Sequence, residues 1–299
     1  AIVLKCLAKD GRLLAVGDPK QCQPAGTLVS VTGGGQVPIE DLKRSDEVIS
    51  YCRQEASFVG RHTQGRRVTA TAKRSFAGDM FTVRAGEKST ECTPNHRWVV
   101  RWTNRPTNLW VTYVMRRDER FRVGWCQLFQ KGGTFHLGLR ARLEQATDAW
   151  VIGIHQNKTD ASIQESVVSV KYGIPMTVFR PRKGDIYQTK ETIDRIFEAT
   201  GEGVRGRVEQ CLTDHGRDIE HPLYRSDWQR RQGRTTIFET EACNLISGFM
   251  SVPAYNGRKE ATWTPIFVSK EFKQVDVYSL EVETHGTYVA NGILTHNSI

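Results

Sequence analysis

The sequence predicts a mostly β fold interrupted by an α/β insert, and three observations carry that expectation. Short runs of β-branched and aromatic residues, closely spaced and punctuated by glycine, fill 22–110. Apolar residues at helical spacing replace them in the middle of the chain. The β texture returns after Val275 and turns at Asn291-Gly292, a strong short hairpin signal.

The elements follow in order. Residues 1–12 read as a short helix or loop, and 13–16 as a strand running into Gly17-Asp18-Pro19-Lys20-Gln21. A buried strand ending in such a turn is common in nucleotide-binding α/β domains. From Cys22 the strand candidates are 27–31, 47–51, 68–72, 80–83 and 91–100, with turns at 33–35 and 77–79. Residues 113–123 read as a hairpin turned by Arg117-Asp118-Glu119, and 137–145, 160–171 and 189–200 as helices. Residues 201–233 are polar and arginine-rich and read as loop; apolar residues at 245–252 read as core. Strands at 277–282, 287–290 and 293–295 complete the β portion. The expected division is a flank at 1–21, a β half at 22–110, an insert at 111–262, a second β half at 263–297 and a flank at 298–299.

Composition narrows the class. With 38% hydrophobic and 25% charged residues in 299, the chain is globular, not disordered, collagen-like or coiled-coil. No apolar run approaches the ~20 residues that span a bilayer. Lys and Arg number 42 against 33 Asp and Glu; the resulting +9 is spread along the chain and fits a solvated surface as well as a polyanion site. The seven cysteines form no CxxC pair, which argues against a zinc knuckle or disulfide framework and for a reducing, cytoplasmic setting. The first residue is not Met, so a segment of a longer chain is expected.

The end of the chain carries the most specific chemistry, Thr295-His296-Asn297-Ser298. An asparagine side-chain amide can attack its own main-chain carbonyl, closing a succinimide and cleaving the next bond. A neighbouring histidine can supply the leaving nitrogen's proton. A hydroxyl just after the asparagine is a candidate nucleophile. Alone, the tripeptide is a polar hairpin exit. It is accompanied by Cys22-Gln23-Pro24-Ala25-Gly26-Thr27 at the start of the β portion and Thr93-Pro94-Asn95-His96 within it. Near the end stand Val277-Tyr278-Ser279-Leu280-Glu281-Val282 and His285-Gly286-Thr287-Tyr288.

These four motifs, in this order, resemble those of an intein, a self-splicing domain of the Hint fold, over about 22–110 and 263–297. The resemblance implies four steps. Cys22 sulfur attacks the Gln21 carbonyl and makes a thioester; a free thiol, with a pKa of about 8.5, is partly ionised at neutral pH. His96 protonates the leaving Cys22 nitrogen while Thr93 holds the amide and its oxyanion. Ser298 oxygen takes the acyl group, and Asn297 cyclises with help from His296 and His285. An acyl shift then joins Gln21 to Ser298. No cofactor is implied; the flanking segments are partners in cis, and the molecule is expected to be a monomer with no membrane attachment.

Ser279 departs from the aspartate usual in ordinary inteins. A third mechanistic class has a cysteine there, with a tryptophan two residues after the internal histidine and a threonine before His-Asn. Trp98 and Thr295 match that class, but Ser279 would stand for its cysteine and Cys22 is retained. The ordinary Cys22 route is expected, with Ser279 as a branch nucleophile the lesser alternative and core packing the plain reading of Trp98. Joining Gln21 to Ser298 gives Val16-Gly17-Asp18-Pro19-Lys20-Gln21-Ser298-Ile299, which resembles motif III of superfamily 1 DNA helicases. An ATP-dependent DNA helicase host is implied.

The insert has the size of a homing endonuclease but neither LAGLIDADG-type helices nor a compact His-Asn-His pattern. It faintly resembles GIY-YIG nucleases: Tyr113 on a first strand, Arg122-Val123-Gly124 on a second, Arg140 or Arg142 on a helix and Glu165 on the next. That family uses the tyrosine to orient water, the arginine to meet phosphate and the glutamate to hold one divalent metal, so Mg2+ and double-stranded DNA are the implied cofactor and partner. The first Gly-Ile-Tyr is Val111-Thr112-Tyr113 here, and the second tyrosine is missing. The plain readings are strand packing for Tyr113 and solvated helix positions for Arg140, Arg142 and Glu165. Tyr224 to Arg234, with Trp228 interleaved, reads as a solvated loop that could also track phosphates. A nuclease with the β portion as scaffold is the alternative to splicing.

Overall fold

The computed structural model describes residues 21–51, 63–103, 107–181, 188–226, 237–257, 261–284 and 286–296. The 13–16 strand with its turn, His285, Asn297, Ser298, and Trp228 with most of its basic stretch lie outside the described residues. The chain divides into two compact units, Ala1–Arg101 with Ile237–Ile299, and Trp102–Thr236. The fold is mostly β, with an α/β portion between two β portions. Among the described residues no helix is long and apolar enough to cross a membrane.

The first unit opens with β1 (Gln23–Pro24), β2 (Leu28–Ser30), β3 (Gln36–Pro38), β4 (Glu47–Tyr51), β5 (Thr63–Ala85), β6 (Lys88–Cys92) and β7 (Arg97–Trp102). The second contains β8 (Trp110–Arg117), β9 (Arg120–Gln127), α1 (His136–Glu144), β10 (Asp148–His155), α2 (Lys158–Tyr172), α3 (Lys190–Thr200), α4 (Val204–Asp214) and β11 (Tyr224–Arg225). The first then resumes with β12 (Ile237–Glu241), β13 (Met250–Tyr255), β14 (Ala261–Val282), β15 (Thr287–Ala290) and β16 (Ile293–His296).

In the first unit, β3-β2-β15-β16-β7-β13-β14-β5-β4 are hydrogen-bonded in that order, with β1 on β14, β12 on β7 and β6 on β5. Val29, Val48, Leu280, Val282 and Tyr288 form one buried cluster beneath it. The turn expected at 77–79 does not form. Ala77, Gly78 and Asp79 pair with Gln274, Lys273 and Phe272 inside the β5–β14 ladder, whose register shifts only between Glu281 and Val282. A Cβ on Gly78 would come within 3.0 Å of the Phe76 ring, so the glycine makes room for a side chain and not for a bend. The single strand expected at 91–100 is two, because Pro94 has no N–H for a ladder and the chain turns over Thr93–His96.

The hairpin of β15 and β16 turns at Asn291-Gly292, both at positive φ (47° and 76°), as a two-residue primed turn requires. Asn291 is tied on three sides. Its N–H donates to Leu28 O at 2.7 Å. Its Oδ1 accepts from Leu28 N at 2.9 Å, and its Nδ2 donates to Thr90 Oγ1 at 3.4 Å.

The second unit is an antiparallel sheet ordered β11-β10-β8-β9 with helices packed on it. Trp150, Val114 and Val123 from the strands bury against Val168, Val208 and Leu212 from α2 and α4. The expected hairpin is β8–β9, turned at Asp118 with φ 54°. α1, α2 and α3 fall within two residues of expectation. α4 lies where a loop was expected: Val204, Val208, Cys211 and Leu212 recur on one face and are buried, a pattern masked by the arginines between them.

The compact units divide at 101/102 and 236/237, not at 110/111 and 262/263. β12 and β13 belong to the outer sheet because they fill ladders on β7, β14 and β16. β12 runs antiparallel to β7, with Ile237 opposite Arg101. The second unit is therefore spliced into the chain between two paired rungs.

Candidate active site

Cys22 immediately precedes β1 and is buried with Met80 and Val277. Thr93, at the start of the β6–β7 turn, grips it. The Cys22 N–H donates to Thr93 Oγ1 at 3.0 Å. The Thr93 hydroxyl and main-chain N–H both donate to Cys22 O, at 3.3 and 2.9 Å. Thr93 thus fixes the nitrogen of the Gln21–Cys22 amide. Beside the thiol, Tyr288 donates to Gln23 Oε1 at 2.8 Å, and Gln23 Nε2 donates to Thr90 Oγ1 at 3.2 Å. Burial, with Cys22 and Cys92 nearby, pushes the Tyr288 phenol well above its usual range, so it stays protonated and structural.

His96 closes the same turn, its N–H donating to Thr93 O at 3.0 Å. Its Nε2 is hydrogen-bonded to the Thr295 hydroxyl. Trp98 meets the ring edge-on, centroids 5.7 Å apart, and is itself fully buried. Burial pushes the His96 imidazole down to about 3. The ring is therefore neutral at working pH, and any proton it gives to the Cys22 nitrogen comes from a neutral N–H. With the Thr295 hydroxyl donating to Arg97 O, Nε2 is the ring's donor to Thr295 Oγ1 and carries that proton. Nδ1 is buried with no hydrogen-bond partner among the described residues.

The far end of the chain arrives at the other side of the turn. In β16, Thr295 donates to Arg97 O at 3.4 Å, and His296 is the ladder partner of Arg97. The imidazole Nε2 of His296 lies 3.4 Å from Glu239 Oε1, both side chains buried. One four-residue turn thus touches Cys22 through Thr93 and the residues before Asn297 through His96. Ser279 lies on β14 opposite Ala72 and is half-buried. Gln23 pairs with Tyr278, so continuing that register by one residue sets Cys22 opposite Ser279.

No family model matches the chain, and no curated protein does. Similar solved structures are inteins. They include a bacterial intein-like domain from Clostridium thermocellum (12% identity, TM-score 0.38, covering 92% of this chain and 98% of that one). A DnaB intein from Synechocystis sp. PCC 6803 is similar at 13% identity and TM-score 0.38, covering 93% and 99%. The TvoVMA intein is similar at 12% and 0.41, with the same coverage. At these scores the likeness carries no argument, and the weight rests on the geometry above.

Glu239 was not singled out from the sequence, because its segment was assigned to the insert. Ile237 and Phe238 are β-type residues, but the three polar residues that follow them break any apolar–polar alternation that could have placed it.

The second unit makes its own cluster. Tyr113 on β8 is fully buried, with the Arg122 guanidinium 5.9 Å from its ring. Arg122 donates to both oxygens of Glu144, at 2.8 and 3.0 Å, and to Met176 O at 3.0 Å. Arg140 reaches the same carboxylate at 3.2 Å and is coupled electrostatically to Tyr113, whose buried hydroxyl has no hydrogen-bond partner among the described residues. Glu165 on α2 faces Arg122, Arg140 and Trp125, yet burial outweighs them and raises its carboxyl above the usual range. The structure thus brings Tyr113, Arg140 and Glu165 together. Arg142 does not join them: two residues from Arg140 on α1, it points elsewhere and is exposed. Arg122, read from the sequence only as part of the second strand, and Glu144, not read from it, complete the cluster; Glu144 lies one helical turn beyond Arg140.

Proposed function

We propose that this chain is an autocatalytic protein-splicing domain that excises 22–297 and joins Gln21 to Ser298. The observation that carries this reading is the shared turn: Thr93 holds the Cys22 amide while His96 holds Thr295, two residues before Asn297. Proximity of this kind turns exchange between distant junctions into an intramolecular reaction. In this reading Cys22 forms the thioester, His96 and Thr93 serve the first amide, Ser298 accepts the acyl group, and Asn297 cyclises with His296 and His285. Trp98 packs His96 in place and Ser279 is a bystander beside Cys22. The restored Gly17-Asp18-Pro19-Lys20-Gln21-Ser298 join supports a DNA helicase host. Mass spectrometry of the flanked precursor tests the proposal: a 22–297 product together with joined flanks is expected, and intact precursor alone at every pH and temperature would overturn it.

A second reading, for 102–236 only, is DNA cleavage, supported by the convergence of Tyr113, Arg140 and Glu165. Among the described residues no group of three or more His, Cys, Asp or Glu could hold a metal ion. Glu144 is engaged by two arginines, which leaves Glu165 as the carboxylate for an ion. One carboxylate fits a hydrated Mg2+ that arrives with substrate phosphate better than a resident metal. Arg140 would meet phosphate charge. Magnesium-dependent nicking of duplex DNA carrying the uninterrupted host sequence, lost in Glu165→Ala, is the expected result. Nicking that survives the substitution would remove Glu165 from the site.

A further inference from the structure

Glu239, buried against His296, lies outside every role assigned above. Glu239 sits on β12, the first strand after the second unit, with its side chain 6% exposed and Oε1 3.4 Å from His296 Nε2. A carboxylate is removed from water at a cost of several kcal/mol and is kept charged by a partner of opposite sign. Two residues on, Glu241 shares its face of the strand and is met by Arg97 at 3.8 Å. Among the described residues, the charged groups placed beside His296 are Glu239 from β12 and Arg97, its ladder partner on β7, with Glu241 opposite Arg97 on β12.

We propose that Glu239 is a positioning residue for Asn297 cyclisation, holding Nε2 of His296 so that the ring's other nitrogen gives its proton to the leaving nitrogen of Ser298. The inference rests on the splicing reading. In the step it serves, Asn297 Nδ2 bonds to its own main-chain carbonyl carbon. The C–N bond to Ser298 breaks and its electron pair stays on the Ser298 nitrogen. Nδ1 of His296 protonates that nitrogen, and the proton shed by Asn297 Nδ2 returns to the ring. A buried carboxylate at Nε2 fixes the ring's orientation and favours the charged form that can donate from Nδ1. The strand that follows the insert thereby serves the last cleavage and not the first.

The test uses the full flanked precursor, with two cleavages read separately by mass spectrometry. Dithiothreitol-induced release of the 1–21 flank reports the Cys22 thioester, and release of the flank that begins at Ser298 reports Asn297. Glu239→Gln is expected to slow the second roughly tenfold, the effect of about one unit in ring basicity. Its pH profile should move to lower pH, since without the carboxylate the ring loses its proton sooner. Thioester release should be unchanged, and Glu239→Asp should recover part of the loss. An unchanged rate and pH profile in Glu239→Gln, or equal loss of both cleavages, would overturn the assignment. Wild-type precursor that yields neither product would instead sink the splicing reading itself.

Discussion

Cys22→Ala is expected to abolish ligation while leaving the fold intact. The thiol sits in a small apolar cluster with Met80 and Val277, and alanine keeps the Cβ and the main-chain bonds to Thr93. The packing loss is on the order of 1 kcal/mol, a small part of the ~5–15 kcal/mol that holds a domain folded. The chemical loss is total, because a methyl group cannot form the thioester; joined flanks should fall by more than ~10³-fold. Release of the Ser298 flank should continue, since Asn297 and its histidines are untouched. Detection of joined Gln21–Ser298 peptide from the variant would remove Cys22 from the first step.

Two deletions should behave in opposite ways. Replacing 102–236 by Asn-Gly is expected to leave splicing active. Arg101 and Ile237 are already ladder partners, and a two-residue primed turn joins partners of this kind. Deleting 111–262 should give insoluble or inactive protein. It strips β12 and β13, and with them the fully buried Met250 and Val252. Each such side chain contributes about 1.5–3 kcal/mol, so losing the two strands takes most of a typical stability margin. Circular dichroism melts and product masses of the two proteins decide the matter, and equal splicing by both would contradict the assignment of β12 and β13 to the outer sheet.

Candidate site residues stand out in the sequence where chemistry restricts the residue type. Only a few side chains can attack a neighbouring carbonyl, and Cys22 and Asn297 stand at positions in the chain where such attack would be useful. Local pattern also sufficed for β8–β9 and for α1 to α3, whose periodicity is settled by nearest neighbours. It failed at Gly78, where a glycine that reads as a turn is a gap for Phe76 in a ladder completed by residues far along the chain. It failed at Glu239, whose meaning depends on cross-strand register and not on its neighbours. Between Arg140 and Arg142 helical geometry could have chosen: Glu144 is four residues from the first and two from the second, so only the first shares its face.

In the proposed splicing reaction, two asparagines six residues apart in the sequence are under opposite demands. One must cyclise for the chain to mature. The other, Asn291, precedes a glycine, the neighbour that least hinders spontaneous deamidation through a cyclic imide. Leu28 N–H holds its Oδ1 and Thr90 Oγ1 accepts from its Nδ2, so its carboxamide is anchored away from the next backbone nitrogen. The tethers that shape the turn therefore also guard Asn291 against ageing.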